Sequence, residues 1–253
     1  MLKAYLVQME SEPGDKAANF AKARELVLGA APEPGSLVVF PEMFDTGYVP
    51  QKLDDMLKAS PDALQAKTEH FLARLAEESR CTLLGGGMWK TTAGITNHIG
   101  AFAPGKPAEV AGYNKVHPFF PEQGKFTAGN DVTLFKINEF TVAPSICYDL
   151  RFPELYREAT RRGAEVFTVQ AAWPAVRKSH WEALLKARAI ENQTYVVAVN
   201  CVSANGSFTG DSQIISPEGK VIACAEAGKE CVVIAELNRA LLLKLRKDFP
   251  VLP

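Results

Sequence analysis

The stretch Ser145-Ile-Cys-Tyr-Asp-Leu-Arg-Phe-Pro-Glu154 (SICYDLRFPE) joins an apolar run to a segment that carries helix-start signals. Residues 140–146 predict a buried strand, and Pro153 suits the first turn of a helix. Cys147 stands between the two, where side chains become accessible at the carboxyl end of a sheet. A helix that points its N-terminus at the sulfur would favour the nucleophilic thiolate. Cys147 is therefore the first candidate nucleophile, although a cysteine after an apolar run is also a common small core residue.

The length and composition favour one large α/β domain. The chain has 253 residues and 47% hydrophobic content, enough for a substantial core, so we expect a single domain over 1–253 with residues 238–253 as a C-terminal tail. The formal net charge is −1 and no basic block stands out, which argues against a nucleic-acid partner. The first residues lack the long apolar region of a signal peptide, and no run approaches a membrane span.

The cysteines and histidines indicate a reducing compartment and no metal. The five cysteines make an odd number without a Cys-x-x-Cys pair, so we expect a cytoplasmic protein without disulfides. Four lie in apolar, strand-like runs and are predicted to be core residues: Cys81, Cys201, Cys224 and Cys231. The four histidines form no i,i+4 pair and no cluster with cysteines, so neither a zinc site nor another cofactor is expected.

Strand and helix patterns alternate along the chain, but pairs of strands recur between the helices. We predict strands over 3–9, 36–40, 81–89, 95–103, 109–116, 132–137, 140–146, 165–171 and 195–203, a hairpin over 211–226 and a strand over 231–237. We predict helices over 15–31, 60–80, 152–163, 181–193 and 238–249. The second is capped by Ser60, has Pro61 in its first turn and turns Leu64, Phe71, Leu72 and Leu75 inward. This order predicts a four-layer α-β-β-α sandwich of two mixed sheets flanked by helices.

Two further chemically active residues follow predicted buried strands, as Cys147 does. Glu42 follows the run over 36–40, and Lys115 ends the run over 109–116. Because strand ends converge at one rim of a sheet, we expect the three side chains to meet. A carboxylate could then take the thiol proton, the sulfur attack an amide-like carbon, and the ammonium stabilise the oxyanion with a backbone N–H. Taken singly, a glutamate or a lysine after a strand is more often a solvated charge, so the joint placement carries the hypothesis.

At this point the sequence shows a resemblance to a known family. The segments FPEMFDTGY, GYNKVHPF and SICYDLRFPE, with AAWPAVRKSHW and KARAIENQTY, resemble the carbon-nitrogen hydrolase (nitrilase) superfamily over 2–237. The resemblance implies a nitrilase-like fold and a homodimer. By the same resemblance Glu42 is the general base, Lys115 the transition-state stabiliser and Cys147 the nucleophile. The resemblance also implies that the Tyr148 N–H forms part of the oxyanion hole and that Glu122 orients the lysine.

The segments WPAVRKSHW, ARAIENQ and GDSQIISPEG resemble the bacterial ω-amidase branch more closely. Such enzymes hydrolyse the side-chain amide of α-keto acids such as α-ketoglutaramate and α-ketosuccinamate. These small-molecule substrates carry a carboxylate, which requires a cation in the pocket. Arg151 and Arg177 are the candidates, although Arg151 could instead pair with Glu154 or Asp149 and Arg177 could be a solvated surface charge. Three aromatic residues could exclude water from the pocket, namely Phe44, Tyr48 and Trp173.

Three alternatives remain open from the sequence. One is another carbon-nitrogen substrate, such as an N-carbamoyl compound or an aliphatic amide. A second is a redox-active Cys147, although no resolving cysteine is near in sequence. The third is a binding module without catalytic activity. The presence of Glu42, Lys115 and Cys147 together argues against it.

Overall fold

The computed structural model describes residues 1–49, 52, 54–55 and 61–252, the last range with its first four residues as backbone alone. Its strands, in chain order, are β1 (Leu2–Gln8), β2 (Leu37–Val39), β3 (Thr82–Thr91), β4 (Gly94–Phe102), β5 (Ala111–Asn114), β6 (Phe135–Ile137), β7 (Phe140–Ile146), β8 (Val166–Ala171), β9 (Tyr195–Asn200), β10 (Gln213–Ile215), β11 (Val221–Cys224) and β12 (Cys231–Leu237). The α-helices are α1 (Lys16–Gly29), α2 (Pro61–Ser79), α3 (Pro153–Arg161), α4 (Lys178–Asn192) and α5 (Arg239–Asp248).

The strands form two mixed sheets of six strands each. The first has the order β12-β1-β2-β3-β4-β5 and the second the order β11-β10-β9-β8-β7-β6. In each sheet the central strands are parallel, β1-β2-β3 in the first and β7-β8-β9 in the second, and the outer pairs are antiparallel. Parallel neighbouring strands end at the same edge of a sheet. The loops after β1 and β2 therefore lie at one edge of the first sheet, and the loops after β7 and β8 lie at one edge of the second.

The two sheets face each other and carry helices on their outer faces. Alternate residues of β1 divide between the layers: Leu2 and Leu6 join the cluster between the sheets, whereas Tyr5 and Val7 face the helix layer. Helices α1 and α2 cover the first sheet, and α3 and α4 cover the second. The predicted four-layer α-β-β-α sandwich is therefore confirmed.

The helix signals in the sequence mark the observed helix ends closely. The Asp15 side chain accepts a hydrogen bond from the Ala18 N–H and caps α1 as predicted. Helix α2 begins at Pro61, while the predicted cap Ser60 and the inward side chain of Leu64 lie outside the described residues. Helix α4 begins at Lys178, three residues before the predicted start.

The C-terminal helix α5 packs on the body of its own chain. Leu242 is buried in the cluster between the sheets, and Arg246 donates hydrogen bonds to the Gln193 and Ala164 carbonyl oxygens. None of the helices that the structure describes is long and apolar enough to cross a membrane.

The prediction that four cysteines are core residues is only half right. Cys81 and Cys201 are buried, but Cys231 is half-buried and Cys224 is exposed. Cys224 lies on β11, an edge strand whose residues are mostly exposed, so its apolar sequence does not bury it. All five cysteines are free thiols.

Candidate active site

The ends of three strands bring Glu42, Lys115 and Cys147 into one region. Glu42 follows β2 after two residues, Lys115 follows β5 directly, and Cys147 follows β7 directly. Strands β2 and β5 belong to the first sheet and β7 to the second. The residues therefore come from facing sheets, and the expectation that they share one rim of a single sheet is wrong.

Lys115 forms a buried ion pair with two glutamates. Its Nζ lies 2.7 Å from Glu42 Oε1 and 3.0 Å from Glu122 Oε1. The Lys115 side chain is 2% exposed and both carboxylates are fully buried. A buried ammonium with one carboxylate would be paired, but two carboxylates leave a net negative charge if both are ionised. Glu122 thus lies in contact with the lysine, as the resemblance implies.

The charges of these groups follow from their burial and their neighbours. Burial lowers the pKa of Lys115, but the carboxylates of Glu42 and Glu122 outweigh it and raise that pKa well above its ordinary value. Lys115 is accordingly an ammonium at every physiological pH. Burial raises the pKa of Glu122, with Glu42 adding to the effect and Lys115 opposing it.

Asn97 binds both glutamates and was not identified from the sequence. Its Nδ2 donates to Glu42 Oε1 over 2.7 Å and to Glu122 Oε1 over 3.3 Å. The other oxygen of Glu42 accepts from the Ala172 N–H over 2.9 Å, and that of Glu122 accepts from the Phe119 N–H over 2.7 Å. Each carboxylate is thus held at both oxygens, so its orientation is fixed before any substrate binds.

Cys147 stands at a strained turn with its thiol protonated. Its φ is +46°, in the left-handed region that side chains other than glycine seldom adopt. Burial raises the pKa of the Cys147 thiol well above its ordinary value, and the charge of Glu42 raises it further while Lys115 opposes both. A 3-10 turn over Cys147–Arg151 separates the residue from α3. The prediction that the helix stabilises a thiolate is therefore wrong, because burial and a carboxylate dominate.

Asp149 connects this turn to the chain segment that carries Lys115. Its Oδ2 accepts from the Tyr113 hydroxyl over 2.7 Å and from the Ile146 N–H over 3.0 Å. Its Oδ1 lies 2.9 Å from both the backbone N–H and the ring Nδ1 of His117. Tyr113 and His117 flank Lys115 in sequence, so one buried carboxylate fixes the two chain segments against each other. The sequence offers no signal for this role apart from the position of Asp149 within the turn.

The backbone N–H of Tyr148 lies at the same turn. It belongs to the second residue of the 3-10 turn, and the first N–H groups of a helical turn have no carbonyl partner within it. A carbonyl oxygen that enters beside Cys147 could therefore meet this N–H.

A pocket of about 90 Å³ opens beside the Cys147 thiol. The residues that line it are Tyr48, Phe119, Cys147, Tyr148, Arg151, Ala172, Trp173, Pro174, Arg177 and Phe208. The Arg151 guanidinium lies 4.6 Å from the centre of the Trp173 ring and 3.4 Å from His180 Nδ1. Within the described ranges no carboxylate lies at ion-pair distance from Arg151, so the structure contradicts its pairing with Glu154 or Asp149. Among the described residues that line it, the pocket has two arginines and no carboxylate.

The sequence matches the family model for carbon-nitrogen hydrolases over residues 3–247. The chain belongs to the carbon-nitrogen hydrolase family. It is 34% identical to "Omega-amidase YafV" of Escherichia coli over 85% of this chain and 82% of that protein. It is 35% identical to "Deaminated glutathione amidase" of Synechocystis over 99% and 98% of the two chains. Yeast Nit3, a member of branch 10 of the nitrilase superfamily, has a TM-score of 0.87 at 28% identity, covering 100% of this chain and 95% of that chain.

In this carbon-nitrogen hydrolase one expected pocket residue lies elsewhere. Phe44 is fully buried, 4.6 Å from Phe40 between ring centres, and belongs to the cluster between the first sheet and its helices. It does not line the pocket, because the turn after β2 directs its ring into this cluster. The expectation that Phe44 contacts substrate is wrong, whereas Tyr48 and Trp173 do line the pocket.

Proposed function

We propose that this hydrolase is an amidase in which Cys147 attacks the carbonyl carbon of a small carboxamide. Glu42 takes the thiol proton as the C–S bond forms, and Lys115 with the Tyr148 N–H stabilises the oxyanion. Glu42 then passes the proton to the nitrogen, and ammonia leaves as the C–N bond breaks. Water activated by Glu42 hydrolyses the thioester. The raised pKa of the Cys147 thiol supports this order, since a protonated thiol needs a base.

Glu122 holds the lysine rather than exchanging a proton in this mechanism. Both oxygens of its carboxylate are engaged, with the lysine and Asn97 on one and a backbone N–H on the other. Such a fixed carboxylate positions the Lys115 ammonium toward the oxyanion.

We propose further that the substrate is the ω-amide of a small α-keto acid, such as α-ketoglutaramate or α-ketosuccinamate. The observation that carries this is the pocket beside Cys147, where Arg151 and Arg177 face the same small volume and Arg151 has no carboxylate partner among the described residues. An unneutralised guanidinium in a pocket wall favours a substrate carboxylate, which it can bind in bidentate fashion. The 34% sequence identity to an ω-amidase of Escherichia coli also supports this substrate.

A panel of amides tests this substrate directly. Ammonia release would be measured for α-ketoglutaramate, α-ketosuccinamate, glutamine, an N-carbamoyl amino acid, an aliphatic amide and a nitrile. We expect the keto-acid amides to have the highest kcat/KM. Equal or better turnover of a neutral aliphatic amide would remove the ω-amidase assignment while leaving the amidase mechanism standing.

A redox function for Cys147 is a weaker alternative. Redox-sensing cysteines depend on a low thiol pKa, whereas burial and Glu42 raise the pKa of this one. Rapid sulfenate formation with peroxide, without hydrolysis of any amide, would favour it.

We also propose that residues 1–253 form one domain that acts as a homodimer in the cytoplasm. The five free thiols suit a reducing compartment. Four apolar side chains in the described part of the C-terminal segment stay exposed, which suits a contact with a second copy: Leu241, Leu243, Phe249 and Val251. Light scattering should give twice the mass of one chain, and a monomer at micromolar concentration would contradict the dimer.

A further inference from the structure

Asn97 contacts each member of the buried charge cluster formed by Glu42, Lys115 and Glu122. Its Nδ2 donates to Oε1 of Glu42 over 2.7 Å and to Oε1 of Glu122 over 3.3 Å. Its backbone carbonyl oxygen accepts from the Lys115 N–H over 2.9 Å. Asn97 is 1% exposed and lies in the middle of β4. One residue thus joins the two glutamates and the lysine through both its side chain and its main chain.

The orientation of this amide leaves its own oxygen without a hydrogen bond. Asn97 Oδ1 is buried, and none of the described groups donates to it. A half-turn about the Cβ–Cγ bond would place Oδ1 against the two carboxylate oxygens, where it would find a donor only if one carboxyl group were protonated. A buried acceptor without a partner is unfavourable, so the contacts of the N–H groups with two ionised carboxylates outweigh that loss. The charges of the cluster therefore decide how this side chain is oriented.

The two carboxylates have little positive charge around them. Lys115 is the one cation in contact with them among the described residues. The other titratable side chains that they act on are Tyr48, Cys147 and Cys201, and in each of these burial and then a carboxylate charge raise the pKa. These three groups are therefore neutral. The amide of Asn97 supplies donors to the carboxylates where the cluster has no second cation.

The hydrogen bonds around Glu42 leave one of its oxygens open to the thiol. Each carboxylate oxygen offers two lone pairs. On Oε1 both are taken, by Lys115 Nζ and by Asn97 Nδ2, whereas Oε2 accepts one hydrogen bond among the described residues, from the Ala172 N–H over 2.9 Å. Burial raises the pKa of the Cys147 thiol, and a hydrogen bond from the same Ala172 N–H acts in the opposite direction, so the sulfur lies on the Oε2 side. The open lone pair of Oε2 is therefore the one that can take the thiol proton.

We propose that Asn97 is a positioning residue of the amidase reaction, which keeps both carboxylates ionised and reserves Oε2 of Glu42 for the thiol proton. This role rests on the proposed function. As a sulfur lone pair forms the C–S bond, the carbonyl π electrons move to the oxygen and the thiol proton passes to Oε2. When those electrons return to the carbonyl, the C–N bond breaks, the nitrogen receives the proton from Oε2 and ammonia leaves. Asn97 and Lys115 stay on Oε1 throughout.

Asn97→Leu tests this role, because leucine has nearly the shape of asparagine and no donor. Without the amide, two buried carboxylates share one ammonium, so the pair should take up a proton at a higher pH than in the wild type. The acid limb of kcat/KM for α-ketoglutaramate should therefore move upward by about one pH unit, the effect of one hydrogen bond to a charged group. Below the limb kcat/KM should fall about tenfold, and on the alkaline side it should approach the wild-type value. Asn97→Ala, which cannot overpack the site, should show the same shift if the leucine variant does not fold.

Asn192→Leu is the matched control. Asn192 is also buried with an unpartnered Oδ1 among the described residues, but its Nδ2 donates within its own helix, to the Arg188 carbonyl oxygen and Glu191 Oε1. This variant should leave the acid limb in place, whatever its Tm. An acid limb that stays in place in the folded Asn97 variants, or a kcat/KM lowered by the same factor at every pH, would overturn the positioning role and leave the amidase function intact. Failure of the wild type to hydrolyse any amide would contradict the proposed function and this role with it.

Discussion

Cys147 combines a strained backbone with a thiol that its surroundings keep protonated. Its φ of +46° presents the sulfur at the tip of a turn, and Asp149 holds that turn through the Ile146 N–H. In the proposed mechanism Glu42 has two effects: its charge raises the pKa of the Cys147 thiol, and its carboxylate accepts the thiol proton when the sulfur attacks.

Glu42→Gln separates these two effects. Removing a nearby negative charge lowers the pKa of the Cys147 thiol, so the rate of alkylation by iodoacetamide should rise at a lower pH than in the wild type. Amide hydrolysis should nevertheless fall by roughly 100-fold or more, since the base is gone. Alkylation rates from pH 6 to 10 and ammonia release check both. An alkylation profile that moves to higher pH would contradict the electrostatic explanation.

Arg151→Gln tests the substrate carboxylate. Losing a charge-assisted hydrogen bond should reduce kcat/KM for α-ketoglutaramate roughly 10- to 100-fold, mainly through KM. Arg161→Gln, an exposed arginine on α3, is the matched control and should have little effect. Steady-state ammonia release checks the prediction. An equal loss with a neutral aliphatic amide would show that Arg151 acts on structure rather than on the carboxylate.

Sequence reasoning found the charged residues of the site but not the groups that hold them. Glu42, Lys115 and Cys147 follow strands and belong to motifs, so both position and resemblance marked them. Asn97 lies inside β4 without a motif, and its contact with Glu42 spans 55 residues of sequence. Phe44 shows the opposite error, because proximity to Glu42 in sequence does not decide which side of a turn a ring faces.

At the scale of elements, a buried ion pair between Lys16 and Asp45 holds the loop after β2 in place. Lys16, the first residue of α1, places its Nζ 2.6 Å from Asp45 Oδ2, and Thr68 of α2 donates to the same oxygen over 2.8 Å. A side chain at Gly87 would meet the Asp45 carboxylate at 2.3 Å, so glycine is needed there. The loop that carries Glu42 is thus anchored to two helices and a strand.

Asp45→Asn should destabilise the fold. The change removes the negative charge from a buried ion pair while the Lys16 ammonium stays buried, at a cost of about 3 kcal/mol, which corresponds to a fall in Tm of roughly 10 °C. Glu33→Gln removes the exposed partner of Lys3 and should leave Tm nearly unchanged. Thermal unfolding followed by circular dichroism measures both. Equal shifts for the two variants would contradict the importance of burial.

The elements themselves were largely predictable, but their pairing was not. Apolar runs and caps identify strands and helices because the signal is local, as at Asp15 and Pro153. Which strands share a sheet depends on contacts between distant residues, so the division of Glu42 and Cys147 between two sheets could not be read from periodicity. Cys224 illustrates the same limit, since an apolar edge strand has the sequence of a buried one.

At the scale of the molecule, the sandwich places the reaction where two sheets face each other. The loop after β2 of the first sheet brings Glu42, and the turn and helix starts of the second sheet bring Cys147 and the two arginines of the pocket. In the proposed function a substrate is oriented by charge, with its carboxylate toward the arginines and its amide nitrogen toward Glu42.

The most direct test of this mechanism is rapid-quench mass spectrometry of the enzyme mixed with α-ketoglutaramate. We expect a transient acyl adduct on the peptide that contains Cys147, formed as ammonia is released, and neither adduct nor ammonia from a Cys147→Ala variant with an unchanged Tm. Near-normal ammonia release by that folded variant would contradict the assignment of Cys147 as the nucleophile.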